Sequence, residues 1–537
     1  MKFLINSSRP MDWNKRFVIL FSLVTLFRLV YLLAAPLDLA ADEAYYWDWS
    51  RQLDWGYFSK PPMVAWLIAL FSRTFGSTTA VVRLPAVVLG AISTFVLFLL
   101  ARRMYGSRTA FWAAAAGLAS PGASALGFIM TIDAPLICFW SLALYLFWMA
   151  VERGGRTSDP ASKEVGEKDS YPVLRSSTPS LSVWLSLAAA IGLGLLSKQV
   201  MGAFIFFMFV FAAVSREDRY LLKSSRLYLS TFFGLAMLMP SILWNARHGW
   251  VTFHHTATHF SRGHSNHIAT FAEFIAGQIG VVSPLTWILF ILVSALLLWN
   301  FRSCDRRTLY LLSFSFAPLL GVLALSLRQR IEPNWPAPVY PAGMVLLSAW
   351  GCGNISVSPV IDLLRPYFKK GVMVGAVMAL LTYAFPFWAG AAPGPWADRL
   401  VARMQGWRQL GAGAGKALAE APCPRTTFIL AFGRQLTSEL AFYTPGAPRV
   451  YNWRDPGGPP QSQYDIWEGP KIGWDAVIVL PKSDSSSISD IAEYFEAVQY
   501  RGSFSAGVGD ARRYGLYVGT CLKRPVDGKI PGGQVNR

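Results

Sequence analysis

The sequence predicts an all-helical bundle that crosses a membrane many times and ends in a small α/β domain. Three observations predict it. Of the 537 residues, 53% are hydrophobic and only 15% charged. Apolar runs able to cross a hydrocarbon core recur from residue 17 to about residue 391. Beyond residue 420 the pattern changes to short alternating and amphipathic stretches. A mean hydropathy of +0.36 lies outside the balance of soluble globular chains. In lipid every backbone group must be satisfied internally, and runs of roughly 20 residues meet that demand as helices.

The spans are expected at about 17–36, 79–100, 109–127, 133–151, 181–197, 199–215, 226–245, 284–300, 308–327, 335–352 and 371–391, roughly eleven crossings. With the N-terminus inside, the even-numbered connections carry Arg102, Arg103 and Arg108; Arg153, Arg156, Lys163 and Lys168; Arg216, Arg219 and Lys223; Arg302, Arg306 and Arg307; and Arg365, Lys369 and Lys370. All are basic, as cytoplasmic loops should be. The odd connections, 37–78, 128–132, the turn at Lys198, 246–283 and 328–334, then lie outside, together with the C-terminal segment. The first run follows Lys15 and Arg16 but has no small-residue cleavage site, so it reads as a retained signal anchor.

The net charge of +18 does not indicate nucleic acid, because the basic residues sit in short clusters between apolar runs and form no stripe. No paired internal repeat of the transporter kind is present, and the acids and bases cluster at one rim instead of mid-helix, which argues against a transporter or flippase. Residues 152–180, with SKEVGEKDS, read as a mobile cytoplasmic loop. The domains follow: a membrane domain over 1–391, a linker over 392–420 framed by GAAPGPW and GAGAG, and an α/β domain over 421–537. In the last, TTFILAF, RVYNW, WDAVIVLP and RRYGLYVGTCL read as strands, and RQLTSELAFY and ISDIAEYFEAVQY as helices. Cys423 and Cys521 are the two cysteines of the exported segment, where a Cys423–Cys521 disulfide is expected, with two free thiols as the other reading.

The chemistry is sought in the first outside loop, DEAYYWDWSRQLDWGYFSKPP. From Asp42, helical spacing places Tyr45, Tyr46, Trp49 and Leu53 on one face, an amphipathic helix lying in the interface. Aromatics are ordinary there. Asp42 and Glu43 are less ordinary, since a carboxylate beside apolar surface needs a partner or a task. Lys60 precedes Pro61 and Pro62 and then MVAWLIALF, an apolar helix too short to cross. Its side chain reads either as snorkelling to lipid headgroups or as a phosphate clamp.

The acidic pair, about sixteen residues and then a Lys-Pro step in the first outside loop resemble the GT-C glycosyltransferases that use polyprenyl-phosphate sugars. Similar branches are the lipid A aminoarabinose transferases, the bacterial protein O-mannosyltransferase-like enzymes and the rhizobial lipopolysaccharide galacturonosyltransferases, the last through WGYFSKPPMVAWL and EPNWPAPVYP. The resemblance spans roughly residues 10–390. It implies a GT-C bundle in which Asp42 activates the acceptor, Lys60 binds donor phosphate, and Asp133 of TIDAP supplies a second acid at the mouth. Glu43, Tyr45 and Tyr57 are expected beside the substrate. THFSRG is similar to a His and Arg segment above the family's site, so His259 and Arg262 are expected to meet donor phosphate. Two departures stand out: Tyr45 occupies the place of an arginine three residues after the first acid of the aminoarabinose transferases, and Ser59 the place of the acid before their lysine.

All six histidines fall in WNARHGWVTFHHTATHFSRGHSNH, where His255 and His259 stand one helical turn apart. That spacing can hold a divalent metal, but no carboxylate lies between them, so no metal is required. Lys198, Arg328 and Arg330 reach the same face and read either as substrate contacts or as solvated charges. Glu332, Asn334 and Trp335 either point into the mouth or belong to a proline-stiffened turn. The expected partners are a polyprenyl-phosphate sugar, galacturonosyl first and aminoarabinosyl or hexosyl as alternatives, a glycolipid acceptor such as lipid A or lipopolysaccharide core, and membrane lipids. The expected location is the bacterial inner membrane, with the site and the C-terminal domain periplasmic.

Overall fold

The computed structural model describes residues 12–154, 180–261, 267–391, 402–421, 423–454, 458–482, 487–506 and 512–526. Most of the charged loop over 152–180 lies outside these residues. The membrane part runs through α1 (Trp13–Ala34), α2 (Ala41–Ser50), α3 (Met63–Phe75), α4 (Thr79–Tyr105), α5 (Ser107–Leu118), α6 (Pro121–Leu126), α7 (Asp133–Gly154), α8 (Leu181–Ser197), α9 (Gly202–Val214), α10 (Ser225–Ala236), α11 (Met239–Arg247), α12 (Val251–Ser261), α13 (His267–Val282), α14 (Pro284–Trp299), α15 (Arg306–Phe314), α16 (Phe316–Ser326), α17 (Tyr340–Gly351), α18 (Pro359–Asp362) and α19 (Arg365–Ala391).

Among the described residues, six helical stretches are long and apolar enough to cross a membrane: Trp13–Ala34, Thr79–Tyr105, Asp133–Glu152, Ser225–Arg247, Arg306–Ser326 and Arg365–Trp388. The other expected spans fall on shorter or broken helices. One is a pair, Ile268–Val282 and Pro284–Trp299, bent by 110°. The break is local chemistry: Ser283 has φ 95°, Pro284 opens the next helix, and the Ser283 hydroxyl bonds Thr286 Oγ1 at 3.0 Å. Within the bundle, Arg28 of α1 is buried and donates to the Tyr383 hydroxyl at 3.0 Å and the Ala123 carbonyl at 3.2 Å. A buried cation whose acceptors among the described residues are neutral ties α1 to α6 and α19, and it lines an apolar cavity of about 120 Å³ with Leu97, Ala134, Ile137 and Met344.

The C-terminal domain comprises α20 (Trp407–Ala419), β1 (Thr427–Phe432), α21 (Arg434–Tyr443), β2 (Val450–Trp453), β3 (Asp475–Pro481), α22 (Ile488–Ala492), β4 (Phe495–Ala506) and β5 (Arg512–Leu522). The strand order is β2-β1-β3-β5-β4; β1 runs parallel to β2 and β3, and β5 antiparallel to β3 and β4. ISDIAEYFEAVQY is helical only over Ile488–Ala492; its second half begins β4, which pairs with β5 from Phe495↔Leu522 onward and buries Phe495. There cross-strand pairing outweighs a helical pattern of marginal length. The GAGAG stretch is no free spacer but part of α20, and a Cβ at Gly411 would come within 2.5 Å of the Tyr443 backbone, so glycine lets α20 close against α21.

The expected Cys423–Cys521 disulfide is absent; all five cysteines are free. β3 lies between β1, which follows Cys423, and β5, which carries Cys521. Two strand spacings amount to roughly 9–10 Å, beyond the ~7 Å that a disulfide tolerates between Cα atoms.

The expected amphipathic helix at the interface is instead buried nearly all round: Glu43 through Ser50 are inaccessible. One apolar core joins Leu39, Tyr45, Trp47, Trp49 and Tyr57 of the first loop to Trp407, Leu410, Leu436 and Leu440 of the C-terminal domain. Polar contacts stitch the same seam. The Leu39 amide donates to the Tyr443 hydroxyl at 2.7 Å, and the Phe58 amide to Gln463 Oε1 at 2.7 Å. Asp38 accepts from the Trp407 amide and from Arg408 Nε, both at 2.9 Å, capping the start of α20 from the first loop.

Candidate active site

Three helix starts and three connecting segments converge at the rim between bundle and C-terminal domain. Asp42 lies in the first turn of α2, where an acid complements the helix dipole, and its side chain is 51% exposed. Asp133 occupies the equivalent place in α7 and is buried. It accepts from Lys198 Nζ at 2.7 Å and from Asn334 Nδ2 at 2.6 Å. Lys198 arrives because α8 ends there, its backbone turning extended at the C-cap. Asn334 arrives on the proline turn before α17, which is held by the Gln278 amide donating to the Pro333 carbonyl at 3.0 Å.

Lys60 sits in a tight turn in which the Tyr57 amide donates to the Lys60 carbonyl at 3.2 Å. Behind the turn, Tyr57 stacks on Trp49 at 4.4 Å, and Thr252 Oγ1 of α12 donates to the Tyr57 carbonyl at 2.8 Å. Gly56 lies against Trp244, where a Cβ would meet the ring at 2.6 Å. The Lys60 ammonium is held below the ordinary lysine range by burial first and then by the Lys198 cation, while Asp42 and Asp133 oppose that shift. Asp42, Asp133, Lys198 and Lys60 therefore act on one another across a single small space. Among the described residues Lys60 has no ion-pair partner.

A third cation comes from the C-terminal domain. Arg434, the first residue of α21, pairs with Asp42 at 3.0 Å and lies over the Tyr45 ring at 4.9 Å. Three cations thus face two carboxylates. The arrangement can bind an anionic group at Lys60 beside a carboxylate accessible enough to accept a proton.

The sequence profile of the dolichyl-phosphate-mannose-protein mannosyltransferase family matches residues 59–158 and 173–244. The chain is 26% identical over 457 residues to the lipid A galacturonosyltransferase RgtD of Rhizobium johnstonii, covering 82% of this chain and 85% of that one. It is 25% identical over 359 residues to the undecaprenyl phosphate-alpha-4-amino-4-deoxy-L-arabinose arabinosyl transferase of Erwinia tasmaniensis, covering 63% of this chain and 59% of that one. Among solved structures, ArnT from Cupriavidus metallidurans bound to undecaprenyl phosphate superposes with a TM-score of 0.60 at 18% identity, covering 93% of this chain and 98% of that one. The chain is similar in sequence to these transferases and shares the ArnT fold.

Not every expected contact reaches the rim. Glu43 is fully buried: it accepts from Arg83 Nη2 at 2.7 Å and Nε at 2.9 Å, from the Met130 amide at 2.9 Å and from the Ala40 amide at 2.9 Å. Arg83 in turn donates to the Asp38 carbonyl at 2.7 Å, so Glu43 is a brace between α2 and α4 and not the substrate contact expected. Tyr45 and Tyr57 are also fully buried. The Tyr45 hydroxyl accepts from the Gln463 amide at 2.5 Å, and burial pushes its ionisation up, so it stays protonated. The Tyr57 hydroxyl bonds the Trp49 and Gln52 carbonyls at 3.2 and 3.0 Å. Both tyrosines shape the loop and leave no hydroxyl for a sugar. Arg330 is tied to Glu273 at 2.7 Å on an exposed surface. Glu332 is exposed and its backbone carbonyl accepts from the Trp335 amide at 3.0 Å, while Trp335 is half-buried in the same turn.

The His255 ring packs at a tilt against Phe58 with centroids 5.0 Å apart, two residues from Lys60. The side chain of His259, and Arg262 entirely, lie outside the described residues. Among the described residues no three His, Cys, Asp or Glu side chains gather to hold a metal ion. Arg434 and Arg83 were not singled out from the sequence. A signal for Arg434 existed: FILAF-Gly-Arg is a strand, a glycine with φ 85° and a helix start, and ligands favour the carboxyl ends of such parallel strands.

Proposed function

We propose that this chain is a GT-C glycosyltransferase that moves a galacturonosyl group from a polyprenyl-phosphate donor to lipid A or lipopolysaccharide core, by direct displacement with inversion. What carries the mechanism is the meeting of Asp42 and Lys60 at one rim. Asp42 takes the proton of the acceptor hydroxyl as that oxygen attacks the anomeric carbon. The anomeric C–O bond breaks, and its electron pair leaves with prenyl phosphate, whose added charge is met by Lys60. Asp133 holds Lys198 and Asn334 in place beneath the sugar. The apolar cavity that begins at Ala134, one residue from Asp133, suits the first part of the prenyl tail.

The sugar is inferred from the likeness to the galacturonosyltransferase over most of both chains. The likeness to an arabinosyl transferase supports aminoarabinose as a second reading, but an amino sugar would bring a cation to a rim already carrying Lys60, Lys198 and Arg434. The basic connections favour a cytoplasmic N-terminus, and with it a periplasmic rim in a bacterial inner membrane. The test is release of prenyl phosphate by purified protein supplied with synthetic prenyl-phosphate galacturonate and lipid A. Equal release by wild type and Asp42→Asn would remove Asp42 as the base.

A further inference from the structure

Arg434 belongs to the C-terminal domain, yet its guanidinium reaches Asp42 at the rim. It directly follows Gly433, which has φ 85°, and its head rests on the Tyr45 ring at 4.9 Å while pairing with Asp42 at 3.0 Å. That ring is fixed: its hydroxyl is bonded by the Gln463 amide at 2.5 Å and its edge meets Trp49 at 4.7 Å. Arg434 itself is 43% exposed, so its head is free to swing on a rigid platform. The charge inventory then becomes informative. Lys198 is committed to Asp133, Lys60 has no ion-pair partner among the described residues, and Arg434 is parked on Asp42. A donor carrying a phosphodiester and a uronate brings two anions. Lys60 suits the first, as a compact charge for phosphate. The planar fork of Arg434, already holding a carboxylate, suits the second.

We propose that Arg434 reads the carboxylate of the donor sugar and that, by exchanging Asp42 for it, it frees Asp42 to accept the acceptor's proton. The proposal rests on the galacturonosyl reading above. It makes the C-terminal domain the source of sugar specificity and couples the presence of the correct sugar to the release of the base. A neutral hexose leaves the Arg434–Asp42 pair closed and is turned over more slowly.

The test compares kcat/KM for prenyl-phosphate galacturonate and for prenyl-phosphate galactose, which differ at the carboxylate alone, in wild type, Arg434→Gln and Arg434→Lys. The expected result is a wild-type preference for the uronate that falls about 10- to 100-fold in Arg434→Gln, with KM for the uronate rising, and falls less in Arg434→Lys. If Arg434→Gln does not fold, the fall in preference in Arg434→Lys decides the matter. An unchanged preference, with both donors slowed by one common factor, overturns the proposal and leaves Arg434 a structural link. A wild type that transfers galactose or aminoarabinose but not galacturonate overturns the sugar reading itself, a result distinct from the first because it needs no variant.

Discussion

The rim holds two carboxylate centres of opposite character. Asp133 is buried, and both its oxygens are spent on Lys198 and Asn334 at 2.7 and 2.6 Å. Asp42 is half exposed and held by one guanidinium that is itself half exposed. The first centre is a fixed joint between α7, α8 and the turn before α17. The second is open to exchange. Position in the helix does not separate them, since each sits in a first turn. Burial and the number of committed partners do, and they support the proposal of proton transfer at Asp42 and positioning at Asp133.

The sharpest way to break this comparison is to remove the Asp42 charge. Asp42→Asn should lower transfer by about 10²- to 10⁴-fold while leaving thermal unfolding close to wild type, since an exposed pair contributes at most ~1 kcal/mol. Asp133→Asn should do the reverse in kind. It leaves Lys198 short of its counter-charge in a buried place and should cost about 3–5 kcal/mol of stability, read as a lowered unfolding midpoint, with Lys198→Met restoring part of the loss. Lys60→Met comes next, with a fall of about 10²-fold in kcat/KM for the donor.

A pH titration tests the same lysine without mutation. Its ammonium is held below the ordinary range, so the charge that binds phosphate is present at low pH and is lost as pH rises through that lowered value. Donor KM should therefore climb at a pH below that expected of an exposed lysine, and Lys60→Met should flatten the climb. The smallest effect is Arg330→Ala, which breaks an exposed pair with Glu273 and should change stability by under ~0.5 kcal/mol and transfer not at all.

Much of this was legible in the chain. Apolar run length marked helices at each expected span, and the Asp42 to Lys60 spacing marked the loop that carries the rim. Periodicity failed where the environment was not water or lipid. α2 has an amphipathic spacing yet is enclosed by protein from Glu43 onward, because the C-terminal domain covers the face expected to meet solvent. Glu43 and Asp42 are neighbours of the same type, and nothing local distinguishes them. Arg83, forty positions away on α4, makes Glu43 a brace, while Asp42 stays half exposed. Arg434 was missed for a related reason: nearly four hundred positions separate it from Asp42, and the contact arises from how one domain settles on another.

The core shared by the first loop and the C-terminal domain has a practical consequence for engineering. Because Tyr45, Trp49 and Tyr57 pack into the same apolar mass as Trp407 and Leu436, neither part can be grafted alone. A chimera between related transferases that moves residues 37–78 and the C-terminal domain together, as one cassette, should keep its hydrophobic fit, whereas one that moves either half should expose it.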